Sequence, residues 1–430
     1  MTLLEMKQAV KNGRYDESFA YLYGEQEILS ARDRYLSVID EFADFFGYSD
    51  GEFYAFSAPG RTELCGNHTD HNFGKVLAGA VNIDVIGIVC KTESDKIRVK
   101  SRGHNVNEIN INELEPVKSE EGNSNSILRG MTARIKELGY GIGTFDAYTV
   151  SNVPAGSGLS SSAAFECLLG CIQSELYGGG KINNVELAKI SQYAENVFFG
   201  KPCGLMDQLT IATGSAVKFD FKDINNPEIE KLDYDFRKSG YALCITNTGG
   251  SHADLTDDYA AVRTEMEAVA SFFGKKVLRE VAKDDVVKNI AKIRKKLGDR
   301  AVLRAMHFYG ENEKVEAAAA ALKNNDFQAF LDCINDSGNS SYKYNQNVFS
   351  SKNPAEQGVS LGLNISERIL GKQGAHRVHG GGFAGTVQAF VPDEKLSEYK
   401  SAMEAVFGKD SCSVLTIRPC GPIKLVPTQS

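Results

Sequence analysis

Within Asn67-His68-Thr69-Asp70-His71, one carboxylate and two imidazoles fall inside four residues, in a polar stretch from Arg61 to Gly74 dense in potential ligands. Two chemistries use such a set. One is metal-dependent hydrolysis. The other is a sugar or polyol site, which needs fixed donors and acceptors on a tight loop. None of the five other histidines (His104, His252, His307, His376, His379) lies in a second recognisable ligand cluster, which puts the polyol site ahead. Composition alone would give a polar surface loop with an Asx turn.

A second cluster is Pro154-Ala155-Gly156-Ser157-Gly158-Leu159-Ser160-Ser161-Ser162. Its glycines permit a tight turn and close approach of a ligand to bare backbone. The serines precede a helical pattern, where backbone N–H groups are free and the helix dipole is positive. That is an anion site, and a phosphate suits it. An ordinary serine cap is the alternative, but three serines exceed what one cap needs. The loop is not a Walker A, because no Gly-Lys-Ser/Thr ends it. Asp207 lies between apolar neighbours in Gly204-Leu205-Met206-Asp207. A buried Asp is costly unless paired or functional, a helix or turn cap being the alternative. Glu195 by itself reads as an exposed helix carboxylate. Gly380-Gly381-Gly382-Phe383-Ala384-Gly385 satisfies G-x-G-x-x-G, yet the adjoining run from Thr386 to Val391 is strand-like, whereas the dinucleotide fingerprint opens a helix.

These residues need elements to hold them. Phe145 to Val150 reads as a strand. Ala163, Ala164, Leu168, Leu169, Ile172 and Leu176 repeat at helical spacing until Gly178-Gly179-Gly180 stops the helix. Residues 1 to 50 form a helical extension with an apolar face. Strands are expected at 53–57, 76–89, 97–101 and 241–246, a surface loop or ribbon at 105–125, and a glycine-rich turn feeding a strand at 374–391. Helices are expected at 184–199, 257–273, 284–297 and 311–323. Strand-rich then mixed segments without a βαβ rhythm give an α+β fold. A chain of 430 residues supports two domains, 51–230 and 231–430, after the 1–50 extension. Hydrophobic content of 42% with 24% charged residues is that of a soluble globular protein. The net charge of -8 argues against nucleic-acid or anionic-membrane binding. There is no spanning run and no signal peptide pattern. Nine scattered cysteines without a CxxC pair fit a reducing cytoplasm.

Pro154 to Ala163 resembles the second motif of the GHMP kinases (galactokinase, homoserine, mevalonate and phosphomevalonate kinases). Gly60-Arg61 through Asp70 is similar to the galactokinase signature. So are Thr248-Gly249-Gly250-Ser251-His252 with Tyr259 and Arg263, Cys203 to Gln208, and Arg304 to His307. The similarity spans about 53–320 and 370–391, and Tyr342 to Leu363 departs from it. Gly380 to Gly385 looks like the third motif, which steadies the phosphate loop. The resemblance implies a two-domain GHMP-kinase fold with its active site in the cleft between the domains. It implies ATP-dependent phosphorylation of the anomeric hydroxyl of a hexose, galactose first. Asp207 would take the proton and Arg61 would stabilise the developing charge. Asn67, His68, Thr69, Asp70, Gly204 and Tyr259 would bind the sugar. Gly156, Ser157, Gly158, Leu159, Ser160, Ser161 and Ser162 would bind the nucleotide, and Ser162 and Glu195 would hold Mg²⁺. No macromolecular partner is implied, and a cytoplasmic monomer is expected. Galactokinases carry Glu at the place of Asn67, where it accepts a hydrogen bond from the 6-hydroxyl. A galacturonate or other C6-modified galactose 1-kinase is therefore an alternative, as is a catalytically inactive sugar-sensing paralogue. The signature speaks against a non-sugar alcohol, and the intact serine run against the inactive paralogue.

Overall fold

The computed structural model describes residues 1–154, 158–250 and 255–428. Two sheets carry the architecture. The first contains β1 (Phe53–Cys65), β2 (Lys75–Thr92), β3 (Lys96–Ser101), β4 (Val106–Asn110), β5 (Thr144–Ser151), β6 (Ala216–Asp220) and β7 (Glu228–Leu232). The second contains β8 (Tyr241–Asn247), β9 (Ala375–His379), β10 (Thr386–Pro392) and β11 (Cys412–Leu415). The last strand, β12 (Ile423–Leu425), returns to the first sheet and pairs with β1. The first sheet runs β12-β1-β2-β5-β3-β4, with β6 on the first half of β2 and β7 outside β6; the second runs β11-β8-β10-β9. All pairings are antiparallel except β3 with β5.

The long strands β1 and β2 are buried on both faces, and alternate residues serve two cores. Phe56, Ala58, Val85, Val89, Phe145 and Ala147 face the main core, shared with the helix Ser161–Leu176. Phe53, Ala55, Ile86, Ile88, Cys90, Tyr148 and Val150 face the N-terminal helices, whose Phe19, Tyr35, Val38 and Phe42 close the outer side. The 1–50 segment folds as expected, as helices Leu3–Lys11, Asp16–Tyr23 and Ile28–Phe46.

Several boundaries differ from the sequence expectation. The 105–125 stretch holds β4 and leads into the helix Ser124–Glu137. The expected helix 184–199 is regular to Tyr193 and then widens into a π-helix at Ala194–Phe199. The 284–297 helix is two helices, Lys283–Lys288 and Ile290–Leu297. Between them, Asn289 Nδ2 donates to Asp285 O at 2.9 Å, a side-chain bond competing with the helical ladder. The 311–323 helix begins twelve residues earlier, as Asp299–Lys323. The 374–391 turn is a full hairpin, β9 to β10. Residues 342–363, where the family resemblance lapses, hold the end of a π-helix, Ser341–Asn345, and the start of a helix, Gly358–Leu370. Among the described residues, no helix is long and apolar enough to cross a membrane.

Candidate active site

Arg61 follows a register shift in β1, between Pro59 and Arg61, that re-aims the strand. Its guanidinium grips the Asp207 carboxylate in a two-pronged pair, Nε to Oδ1 and Nη2 to Oδ2, both at 2.7 Å. Arg61 Nη1 also donates to Gly158 O, and Arg61 N donates to Leu159 O at 3.1 Å. Asp207 sits in the first turn of the helix Met206–Thr213, where a negative charge is favoured. Ser160 Oγ donates to Asp207 Oδ2. Burial would raise the Asp207 carboxyl, but the Arg61 charge, its two hydrogen bonds and the Ser160 hydroxyl hold it below the ordinary carboxylate range. The Asp207 side chain keeps 32% exposure against 10% for Arg61, so the carboxylate stays reachable from outside.

Beside this pair lies a cavity of about 130 Å³ lined by Arg61, Glu63, Asn67, His68, Asp70, Met206, Gly380 and Gly381. Its floor is the loop Gly66–Gly74. The helix Asp299–Lys323 holds that loop: Glu311 Oε2 accepts from Gly66 N and Asn67 N, His307 Nε2 lies 2.9 Å from Asn67 O, and Asn312 Oδ1 accepts from Lys75 N. Burial pushes the His307 imidazole down to about 4, against the pull of Glu311. The glycine hairpin turn caps the loop from the other side. Gly380 O accepts from Asn67 Nδ2, and Gly381 O lies 2.9 Å from His68 Nε2. Gly382 has φ +79°, and a Cβ there would meet Asn347 O at 1.9 Å, so only glycine fits. The turn therefore grips the 66–74 loop, while its neighbour His379 reaches the glycine-serine loop. A Cβ on Gly158 would lie 3.3 Å from the His379 ring. Burial, then Arg61 and Arg377, push His379 down to about 3, leaving it neutral.

The expected sugar-binding residues divide. His68, in a left-handed backbone conformation, and Asp70 line the cavity. Burial raises the Asp70 carboxyl, with the His68 charge working against it. Asp70 Oδ2 also faces Gly204, 3.4 Å from where a Cβ would be. Thr69 does not face the cavity: it is fully buried, its hydroxyl 2.6 Å from Lys75 O and 2.9 Å from Gly66 O, and it braces the loop. Asn67 borders the cavity, but its amide is engaged inside the protein. Tyr259, on the helix Thr256–Phe272, packs against Gly381 and donates from its hydroxyl to Gly382 O at 2.9 Å.

In the glycine-serine loop, Gly156 and Ser157 lie outside the described residues, as does His252. Leu159 is buried and anchors the loop in the core. Ser160 caps the helix Ser161–Leu176 with φ +59° and points its hydroxyl at Asp207 rather than outward. Ser161 is half-buried and Ser162 exposed, at the helix N-terminus. Glu195 is not the exposed carboxylate its sequence suggests: it is 4% exposed, accepting from Gln208 Nε2 at 2.9 Å and Lys201 Nζ at 3.1 Å. Glu166, one helical turn after Ser162, shares the same Gln208 amide at 3.2 Å. Its other oxygen, Oε1, is buried without a hydrogen-bond partner among the described residues. Burial, then the Glu195 charge, raise Glu166 to about 8. Among the described residues, no three His, Cys, Asp or Glu side chains form a metal cage. The sequence reading missed Glu63, Glu166, Gln208 and His379. Only the i, i+2 spacing of Arg61 and Glu63 on one strand face could have flagged Glu63.

Comparison with known proteins fits this arrangement. Residues 125–215 match the GHMP kinases N terminal domain, and residues 40–91 match the galactokinase galactose-binding signature. A galactokinase of Glaesserella parasuis is 32% identical, over 86% of this chain and 93% of the relative. The chain belongs to the galactokinase family of the GHMP kinases. A galactokinase of Clostridium tetani is 31% identical over 84% of this chain and 90% of its own. Among solved structures, Lactococcus lactis galactokinase complexed with galactose aligns with a TM-score of 0.74 at 26% identity, covering 90% of this chain and 98% of that one. Methanococcus jannaschii mevalonate kinase, 16% identical with a TM-score of 0.61, covers 85% and 99% and shares the fold. The protein is a sugar kinase of two-sheet α+β architecture.

Proposed function

We propose that this sugar kinase transfers the γ-phosphoryl group of ATP to the anomeric hydroxyl of galactose. The observation that carries the reading is Asp207. It is an ionised, Arg61-paired carboxylate beside a polar-lined cavity of about 130 Å³ and near the N-terminus of the helix Ser161–Leu176. In this reading Asp207 accepts the proton of the anomeric hydroxyl as it attacks, and Arg61 stabilises the charge that develops on the sugar oxygen and the transferring group. The segment Gly156 to Ser162 binds the phosphates, its Ser161 and Ser162 supplying hydroxyls at the helix N-terminus while the Ser160 hydroxyl serves Asp207. Asp70 and His68 hold the sugar, with Gly204 and Tyr259 at its edges. The kinship with curated galactokinases supports the substrate.

Mg²⁺ fits the donors present. Ser162 offers an exposed hydroxyl, Glu195 a carboxylate, and Glu166 a buried oxygen without a partner among the described residues. Mg²⁺ favours oxygen ligands and takes waters and phosphates for the rest, so a complete protein cage is not needed. Bound there, the ion would screen the phosphate charge. The 1–50 extension and a monomeric chain in the cytoplasm complete the proposal. A division at residue 230 falls inside β7, Glu228–Leu232, so a boundary just after that strand suits the first sheet better. β12, together with Val315, Phe330 and Phe390, joins the C-terminal half to the N-terminal one.

A 6-carboxylate substrate lacks support. The described cations at the cavity are committed, Arg61 to Asp207 and the nearby Arg377 to Glu63. The test is ADP release over galactose, galacturonate, N-acetylgalactosamine, arabinose and glucose, each with Mg²⁺ and with chelator. Galactose with Mg²⁺ should give the highest kcat/KM. Faster turnover of galacturonate, or turnover unaffected by chelator, overturns the respective part of the reading.

A further inference from the structure

The family position expected to read the remote end of the sugar is Asn67, yet its side chain has no capacity left. Asn67 is 1% exposed. Its Nδ2 donates to Glu63 Oε1 and to Gly380 O, both at 2.9 Å. Its Oδ1 accepts from Asn347 Nδ2 at 2.8 Å and Ser341 Oγ at 3.4 Å. An amide has two N–H donors and two acceptor sites, so all four are filled. The two acceptors around Nδ2 also fix which way the amide points.

Glu63 is different. Its side chain is 8% exposed and lines the cavity. Oε1 is occupied by Asn67 Nδ2 and by Arg377 Nη2, each at 2.9 Å, and Arg377 is fully buried. Oε2 receives no hydrogen bond from any described residue, and it is not among the fully enclosed unpartnered atoms, so it keeps an opening to the cavity. A buried carboxylate held by a bonded cation on one oxygen and left bare on the other is poised for a donor from a ligand.

The strand sets the distance. Arg61 and Glu63 alternate onto the same side of β1, about 6.6 Å apart along it by the rise of two residues, with no register shift between them. An anomeric hydroxyl delivered to Asp207 beside Arg61 therefore leaves the other end of the ring near Glu63. Resting on the galactose 1-kinase reading, we infer that Glu63 Oε2, not Asn67, accepts a hydrogen bond from a hydroxyl remote from the anomeric carbon. Its charge also rejects sugars that carry a carboxylate there. Glu63 is thus a specificity-determining residue for a neutral hexose.

The test compares kcat/KM for galactose, 4-deoxygalactose, 6-deoxygalactose and galacturonate in wild type and Glu63→Gln, with nucleotide binding as a folding check. Wild type should lose roughly tenfold or more on one deoxy sugar, the loss of a charge-assisted hydrogen bond. In Glu63→Gln that ratio should shrink several-fold and galacturonate should gain turnover. A merely structural role would lower all sugars alike, so an unchanged ratio overturns the inference. If Glu63→Gln leaves Arg377 stranded and fails to fold, Glu63→Gln with Arg377→Gln removes both charges and is read the same way. Equal rates of wild type on galactose and both deoxy sugars overturn it without any variant. Wild type inactive on galactose overturns the substrate reading instead, and the ratio is then measured on the deoxy forms of the sugar it does use.

Discussion

At the residue scale, the state of Asp207 is a contest between burial and Arg61. Burial favours the neutral acid, while the adjacent guanidinium and the Ser160 hydroxyl favour the anion, and the anion wins. If Asp207 is the base, as proposed, its depressed pKa keeps it ionised into mildly acidic solution, so the acid limb of the kcat/KM profile should fall below about pH 4, the ordinary carboxylate value. Arg61→Gln removes the main opposition to burial and should move that limb upward, in addition to slowing the reaction. A limb that stays in place would mean another group titrates. Asp207→Asn keeps the shape but cannot accept the proton, and its kcat should drop at least about 10²-fold with galactose binding retained. Retention of a tenth of wild-type kcat would rule Asp207 out as the base.

At the scale of elements, the proposed catalysis requires β1 to run close past the glycine-serine loop. Gly60 allows that approach. A Cβ there would lie 2.9 Å from Leu159 O and 3.2 Å from the Val153 side chain. The first contact is backbone and cannot swing aside. Gly60→Ala should therefore push the strand off the loop, at a cost on the order of 1–3 kcal/mol. It should also loosen the bonds from Arg61 to Leu159 O and Gly158 O. Denaturant unfolding together with kcat checks this. The expected result is a lower midpoint and a kcat loss larger than the fraction unfolded explains. Wild-type values for both would show that the approach has slack.

For the whole molecule, one buried carboxylate ties distant parts of the chain. Asp84, on β2, is fully buried and accepts from Tyr23 OH at 2.6 Å, Arg34 Nη1 at 2.5 Å, Arg418 Nη1 at 3.3 Å and Ser57 Oγ. These partners come from the N-terminal helices, β1 and the C-terminal segment. Burial would raise Asp84, but Arg34 and Arg418 hold it below the ordinary range. A depressed folded pKa gives stability that is present above the unfolded value of about 3.9 and is lost as pH falls through the folded value. Asp84→Asn strands the buried Arg418 guanidinium and the partly buried Arg34 and should cost about 3–5 kcal/mol near neutral pH. Thermal melts from pH 7 to 3 should show wild type falling towards the variant in acid. Parallel curves at every pH would mean the carboxylate charge contributes nothing.

The sequence by itself determined the pieces whose information is local. The Phe145–Val150 strand, the glycine-serine loop and the helix after it are written in period and composition, and the strand and helix stand where expected. The signature run from Arg61 to Asp70 and the serine run identified the family without any coordinates. What only the tertiary structure decided is where side-chain capacity goes. Thr69, Ser160 and Asn67 look like ligand groups in sequence, but backbone carbonyls, Asp207 and Glu63 claim them once distant segments converge. Glu195 looks exposed until the Ala194–Phe199 π-helix and Gln208 enclose it. Glu63 carries no signal of its own. Its meaning depends on Arg377, 314 residues away, which holds one oxygen while no described residue bonds the other. A hydrogen bond is satisfied by whichever partner the fold brings within about 3 Å, and residue type along a chain does not encode that choice.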